Sequence, residues 1–426
     1  MVQRNLTLLL PLVLGTALAV GSPGYPQSRI PSFENEHDRQ VARFGEVLRI
    51  LGEEYVDEGK ADYDTLTRAA IEGMLESLDP YSQYLTEEKF TQLQEQTRQE
   101  FGGIGIRIER RDDRITVVSP IANTPGERAG ILSGDQIVSV DGTETSGYST
   151  RRLSELLRGN PGSEVSITLY RPMKDETIEV NVVREIIKLE SVSDGRIMEE
   201  GIGYVRINRF GQRTGAEFKE TLDRLEAEGM TGLVIDLRNN PGGLLSAAVD
   251  VAGRFFDRGE VVVYTQGRDR ESRNEIKART SGRNKTYPLA VLINSGSASA
   301  AEIVAGALKD SRRAIIVGET SFGKGSVQRI EALRDGAALR YTSARYYTPG
   351  GVTLHEKGVE PDIEITVPTE DAGLLLRQRN RAHLAPGEFA ELYGLEPIDD
   401  IQLQAAINSL KELFLRAEIE DSAPDS

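Results

Sequence analysis

The segment NSGSASAAEIVAGALKDSRRAIIVGETSFGKGSVQ, from Asn294 to Gln328, opens on small hydroxyl residues and ends near a lysine set between two glycines. Three chemistries compete for such a pattern: a phosphate-binding loop, a plain surface turn, and a lysine base serving a serine nucleophile. GETSFGK, from Gly318 to Lys324, fits the first part of a phosphate-loop signature. That signature next requires Ser or Thr to ligate Mg²⁺, and Gly325 stands there instead. A helix should also follow, whereas GSVQRIEAL opens with a β-favouring run. SAAE, from Ser299 to Glu302, matches a helix capping box. Capping does not compete with catalysis, because a serine at a strand-to-helix junction sits beside N–H groups that can stabilise an oxyanion.

A serine nucleophile needs a base. The chain has three histidines. His37 and His383 fall in helical flanks, and His355 in the loop-like TLHEKGVEPD. Lysine can serve if it is neutral. A free lysine titrates near ~10.4, so it must be desolvated or set near a cation before it accepts a proton. Phe322 and Val327 are apolar neighbours of Lys324 able to supply that burial.

The elements that must position these groups are spread over 426 residues, too many for one ordinary core. The formal charge of −16 argues against nucleic acid as the main partner, since phosphate binding needs a basic surface. Absence of cysteine excludes disulfides, thiolate metal sites and cysteine nucleophiles. Residues 1–22 carry Arg4 and an apolar run from Leu6 to Val20, interrupted by Pro11 and followed by small residues. This reads as an export signal, with an uncleaved anchor as the alternative. It places the protein in the periplasm or cell envelope, with inner-membrane anchoring left open.

Residues 34–100 are predicted helical, with Val41, Phe44, Val47, Leu48 and Leu51 forming a packing stripe, and DPYSQYL breaking the run. Residues 101–185 alternate as short strands around two short helices and resemble a PDZ domain. GGIGI, comprising Gly102, Gly103, Ile104, Gly105 and Ile106, sits where that family binds a chain-terminal carboxylate, and a peptide then adds as a strand. Arg171, in TLYRP, is either a contact between this unit and the rest of the protein or a solvated charge at a strand end. From 186 to 368 strands and helices alternate as an α/β core, and a helical tail fills 369–426. The fold class is thus mixed α/β and multidomain.

The segment from Gly296 to Gln328 is similar to the active-site region of the carboxyl-terminal processing peptidases, or tail-specific proteases. The resemblance runs over roughly 35–365 and includes DPYSQYL, FGGIGI, LVIDLRNNPGG, ARYYTPGG and KGVEPDI. It implies Ser299 as nucleophile, Lys324 as general base 25 residues on, and Gln328 orienting the lysine. It also implies oxyanion-hole N–H groups from Gly243 and Ala300. Ala301 replaces a serine found in many members but holds none of these roles. No metal or organic cofactor is implied. The expected partners are protein or peptide carboxyl termini. An activating partner protein, membrane association through the amino terminus and a homo-oligomer stay open. The rival reading is a proteolytically inactive PDZ-bearing scaffold.

Overall fold

The computed structural model describes residues 35–422, apart from 112, 281, 283, 284 and 383. The expected signal or anchor and His383 lie outside the described residues. Among the described residues, no helix is long and apolar enough to cross a membrane. The chain divides into two compact units, Met1–Ile71 and Glu72–Ser426.

In the first unit, Asn35 caps the helix Glu36–Glu54 by accepting from the Asp38 N–H at 3.0 Å. Glu36 and Asp38 place negative charge in its first turn, where the helix dipole favours it. The stripe expected to pack does not: Val41, Phe44, Val47 and Leu51 are exposed, and this helix buries no residue. Helical periodicity identifies a face fit for burial, and nothing among the described residues covers it.

The second unit contains a small β domain and a two-sheet core. In the small domain, strands Ile106–Arg111, Arg114–Pro120, Gln136–Val140, Glu164–Arg171 and Glu176–Val183 are neighbours in that order. Alternate residues such as Val165, Ile167 and Leu169 point into its core, which the helix Thr150–Leu157 closes with Leu153 and Leu157. Ile106–Arg111 is an edge strand of this sheet. A separate antiparallel pair, Glu100–Gly103 with Glu185–Lys188, joins the chain's entry and exit.

The larger core begins with a six-stranded sheet ordered Val192–Ile197, Ile202–Ile207, Gly232–Asp236, Leu289–Ile293, Ile315–Gly318 and Ile363–Glu364. Its first pairing is antiparallel and the rest are parallel. Its central strands Gly232–Asp236 and Leu289–Ile293 read as near-continuous apolar runs because both faces are covered. Leu233, Ile235, Val291 and Ile293 face one cluster, shared with helices Thr214–Ala227, Leu245–Ala252 and Ala300–Asp310. Val234, Ala290 and Leu292 face the other, shared with Ala406 and Leu410 of the carboxyl-terminal helix Ile401–Ser422. Arg238 fixes that helix's approach, bonding buried Asp236 and, at 2.7 and 2.8 Å, Asp400. Burial would raise the Asp236 carboxyl, but Arg238 and Arg379 outweigh it and hold it well below the usual carboxylate range.

A second, antiparallel sheet is built on the long strand Ala338–Tyr347. It pairs with Ser326–Ala332, with Val261–Gln266, and with Gln83–Leu85. The last of these falls in DPYSQYL, the stretch that interrupts the region expected to be helical. At three residues it is too short to carry a period of its own.

Candidate active site

Ser299 stands where the strand Leu289–Ile293 has passed through a turn into the helix Ala300–Asp310. Main-chain and side-chain bonds pin this turn: Ser297 Oγ donates to the Leu237 carbonyl at 2.8 Å, and the Ala298 N–H to the Asn240 carbonyl at 2.9 Å. Ser299 itself adopts φ 55°, ψ −113°. Such backbone in a non-glycine residue costs on the order of 1–3 kcal/mol and persists where the surroundings over-determine it. Half of the expected capping box forms: Glu302 accepts from the Ser299 N–H at 2.7 Å, while the Ser299 hydroxyl makes no capping bond. The hydroxyl lies instead within hydrogen-bonding reach of the Tyr346 phenol.

Lys324 arrives from the other sheet, in the loop before Ser326–Ala332. Ser299, Lys324, Gln328, Gly242, Gly243, Arg340 and Tyr346 line one cavity of about 640 Å³. The lysine ammonium lies 4.7 Å from the centre of the Tyr81 ring. Among the described residues it makes no hydrogen bond, and none joins it to Ser299. Burial lowers its pKa from the ordinary lysine value, and the charge of Arg340 lowers it further, against opposing pulls from Asp79 and Glu302. Gln328 donates to Thr342 at 2.8 Å and Ser326 at 3.2 Å, and its Oε1 is a buried acceptor with no partner among the described residues.

The turn NNPGG brings two glycines beside the serine. Gly242 spends its N–H on the Asn240 side chain at 2.8 Å. Gly243 adopts φ 147°, and a Cβ there would lie 1.9 Å from the Phe210 carbonyl oxygen, so only glycine fits. The N–H groups of Gly243 and Ala300 have no acceptor among the described residues. The Ala300 nitrogen is close enough to the turn that a Cβ on Gly242 would sit 2.9 Å from it. Two free donors thus flank the serine, as an oxyanion needs.

Sequence reasoning passed over several residues that organise this site. Glu302, expected only as a cap partner, also accepts from the Ser321 hydroxyl and Gly323 N–H at 2.6 Å and the Lys324 N–H at 2.9 Å. One buried carboxylate therefore ties the serine's helix to the lysine's loop. Burial raises its pKa, while those four donors oppose the rise. The Tyr346 hydroxyl donates to the Lys324 carbonyl. Asp79 accepts from the Tyr81 and Ser82 N–H groups at 2.8 Å, shaping the turn that carries Tyr81. DPYSQYL and ARYYTPGG hold Asp79, Tyr81 and Tyr346, but nothing local to those motifs assigns them a place here. His355 packs its backbone against Gly325, yet does not line the cavity. His37 is exposed on the first helix.

In the small β domain, Gly102 and Gly103 fall in the paired strand Glu100–Gly103, opposite Ile186 and Glu185. Ile104 and Gly105 form the loop, Gly105 with φ 76°, and Ile106 opens the edge strand. The N–H groups of Ile104 and Gly105 have no acceptor among the described residues. Arg171 does not contact the core. Its guanidinium is held inside the domain by Asp135, at 2.8 and 2.9 Å, and by the Gly130 carbonyl.

The profile of peptidase family S41 matches residues 201–365, and a PDZ domain profile matches 102–182. A carboxy-terminal-processing protease of Bartonella bacilliformis is 37% identical, over 94% of each chain. This chain belongs to the carboxy-terminal-processing proteases. It is a serine-type peptidase with a PDZ domain. The carboxy-terminal processing protease CtpB of Bacillus subtilis is 34% identical, over 79% of this chain and 70% of its own. Among solved structures, the photosystem II D1 C-terminal processing protease is 32% identical over 76% of this chain and 92% of its own, with a TM-score of 0.44. In this processing protease, Ser299 and Lys324 come from different sheets and meet in one cavity.

Proposed function

We propose that the chain is an exported endopeptidase of the cell envelope that takes protein carboxyl termini through its PDZ domain and cleaves by an acyl-enzyme route. The observation that carries this reading is the meeting of Ser299, a lysine of lowered pKa and two free N–H groups at one cavity. Neutral Lys324 accepts the Ser299 proton as Oγ attacks the scissile carbonyl. The Gly243 and Ala300 N–H groups receive the oxyanion. The new ammonium finds an acceptor in Gln328 Oε1, then returns its proton to the leaving amine. Water, deprotonated by the same lysine, releases the acyl group. The missing Ser299–Lys324 hydrogen bond is formed as substrate fills the cavity, since catalytic bonds often tighten only in the substrate complex. The N–H groups of Ile104 and Gly105 receive the terminal carboxylate of a tail added along Ile106–Arg111.

The test is turnover of a folded protein bearing an unstructured apolar tail, compared with the same protein amidated at its terminus. The free acid is cut faster, and the Ser299→Ala variant cuts neither. A purified wild-type chain that binds both tails and cuts neither would establish the inactive scaffold. Recovery in the cytoplasmic fraction would remove export.

A further inference from the structure

A second cavity, of about 600 Å³, lies between the PDZ domain, the parallel sheet and the carboxyl-terminal region. Arg107, Arg206, Arg379 and Arg381 line it, with Asp194 and Asn380. Arg107 belongs to the PDZ edge strand. Its neighbours Ile106 and Ile108 pack on the domain's core, so Arg107 faces the other way. Glu109 and Arg111, alternating with it, meet Arg381 at 3.6 Å and the Tyr393 ring at 5.3 Å from its centre.

The charges in this cavity do not balance. Asp194 is taken by Arg196, Arg379 is paired with Asp236 and Arg381 with Glu109. Arg206 and Arg107 form no salt bridge among the described residues, and Asp194 and Asp236 act on Arg206 only from a distance. Arg206 is 7% exposed, and its side-chain bond goes to the neutral Asn380 Oδ1 at 2.9 Å. The Nε atoms of Arg206, Arg379 and Arg381 are buried without acceptors. A buried, unpaired guanidinium is costly, and an anion placed against it removes that cost. Burial and the charge of Arg379 act against Arg206's own ionised form, with Asp236 pulling the other way, and the net shift is downward. Planar guanidinium forks match the two oxygens of a carboxylate or the face of a phosphate.

We propose that this arginine-lined cavity is an anion site that takes a small oxyanion and joins the PDZ domain to the peptidase core. The oxyanion has two sources: an acidic side chain of the bound tail, or a free anion such as phosphate. The first rests on the PDZ reading above. A tail whose terminus sits at Ile104 and Gly105 passes Arg107 within its last two or three residues, because a strand rises about 3.3 Å per residue.

Thermal unfolding of the full chain, at constant ionic strength with chloride replaced stepwise by phosphate, measures the site directly. Phosphate should raise Tm saturably, following the logarithmic dependence of ligand stabilisation. Arg107→Ala and Arg206→Met should each weaken the phosphate midpoint at least ~10-fold, as loss of a charge-assisted pair does. In chloride alone, Arg206→Met should keep or raise Tm, since it removes an unpaired buried charge. If that variant does not fold, exposed Arg107 carries the test. No saturable rise, or an undiminished one in Arg107→Ala, overturns the site. Labelled peptides with Glu or Gln second or third from a free carboxylate then identify the source in Ser299→Ala protein. A Glu preference lost in Arg107→Ala and competed by phosphate assigns the acidic tail. Equal binding with the phosphate response intact assigns the free anion. Peptides that do not bind at all defeat the PDZ reading and leave the phosphate result standing.

Discussion

Ser299 follows a strand whose five residues are all buried, whereas Lys324 precedes a seven-residue strand in which Ser326 alone is buried. The parallel sheet is covered on both faces, and its turn holds Ser299 through backbone bonds and an enforced φ. The antiparallel sheet is half open. It delivers the lysine backbone accurately, through Glu302 and Tyr346, but leaves the ammonium against a ring with no hydrogen bond. On the proposed mechanism, Ser299 and the two free N–H groups are preformed, and Lys324 is the part that productive binding must complete. Placing the two on different sheets makes their alignment sensitive to small shifts between layers.

The largest effects should come from deleting either partner. Ser299→Ala and Lys324→Ala should each lower kcat/KM by ~10⁴–10⁶-fold, as loss of residues acting as one unit does, with unchanged circular dichroism. His355→Ala should remain active. An active Lys324→Ala enzyme, with activity lost in His355→Ala, would transfer the base to the histidine. Gly243→Ala tests the preformed side. Its Cβ would displace the Phe210 carbonyl and move the donor N–H, so kcat should fall ~10²–10³-fold. A kcat within twofold of wild type would remove Gly243 from the oxyanion site.

Glu302→Gln tests the link between the two sheets. Glutamine keeps the shape but presents an NH₂ to groups that are themselves donors. The expected loss is ~1–3 kcal/mol in stability, by denaturant titration, and about tenfold in kcat, since the lysine loop loosens against the serine's helix. A stability loss with kcat unchanged would make Glu302 a cap and nothing more.

The same contrast explains what could be read in the sequence. Gly232–Asp236 and Leu289–Ile293 announce themselves as short apolar runs ended by turn residues, because burial on both faces leaves one kind of position. Ala338–Tyr347 carries no such pattern. It meets three different strands along its length, and its residues alternate between partial burial and exposure without a fixed period. Tyr346 and Arg340 therefore had no local signal. Glu302 had one, for its bond to the Ser299 N–H, but its other donors lie 19–22 residues downstream and only the fold brings them in. Arg171 shows the converse error: a charge at a strand end suited an outward contact, and a buried aspartate in its own domain claims it. Ser299, Lys324 and Gln328 were named through a family resemblance, and the sheets show why their spacing has to span a helix and a strand.

The smallest effect should come from Arg340, and it is the most specific to the open sheet. On the proposed mechanism Lys324 acts as a base only when neutral, so activity should fall as pH drops through its folded pKa. Burial sets most of the lowering and Arg340 adds to it. Arg340→Met should therefore raise the lysine's pKa and move the acid limb of kcat/KM to higher pH, with a smaller loss at neutral pH than Gly243→Ala causes. The linkage has a matching sign. A lysine whose folded pKa lies below its unfolded value of about 10.4 binds more protons when unfolded. Its contribution to stability therefore increases as pH rises from the folded to the unfolded pKa, and that window narrows in Arg340→Met. Arg340 also donates to Gln83 at 2.8 Å, so a purely structural loss must be separated from an electrostatic one. The alkaline plateau separates them. If the charge acts on Lys324, the variant regains wild-type kcat/KM at high pH. A plateau lowered by the same factor at every pH would mean that Arg340 supports the strand pairing and leaves the lysine's titration to burial alone.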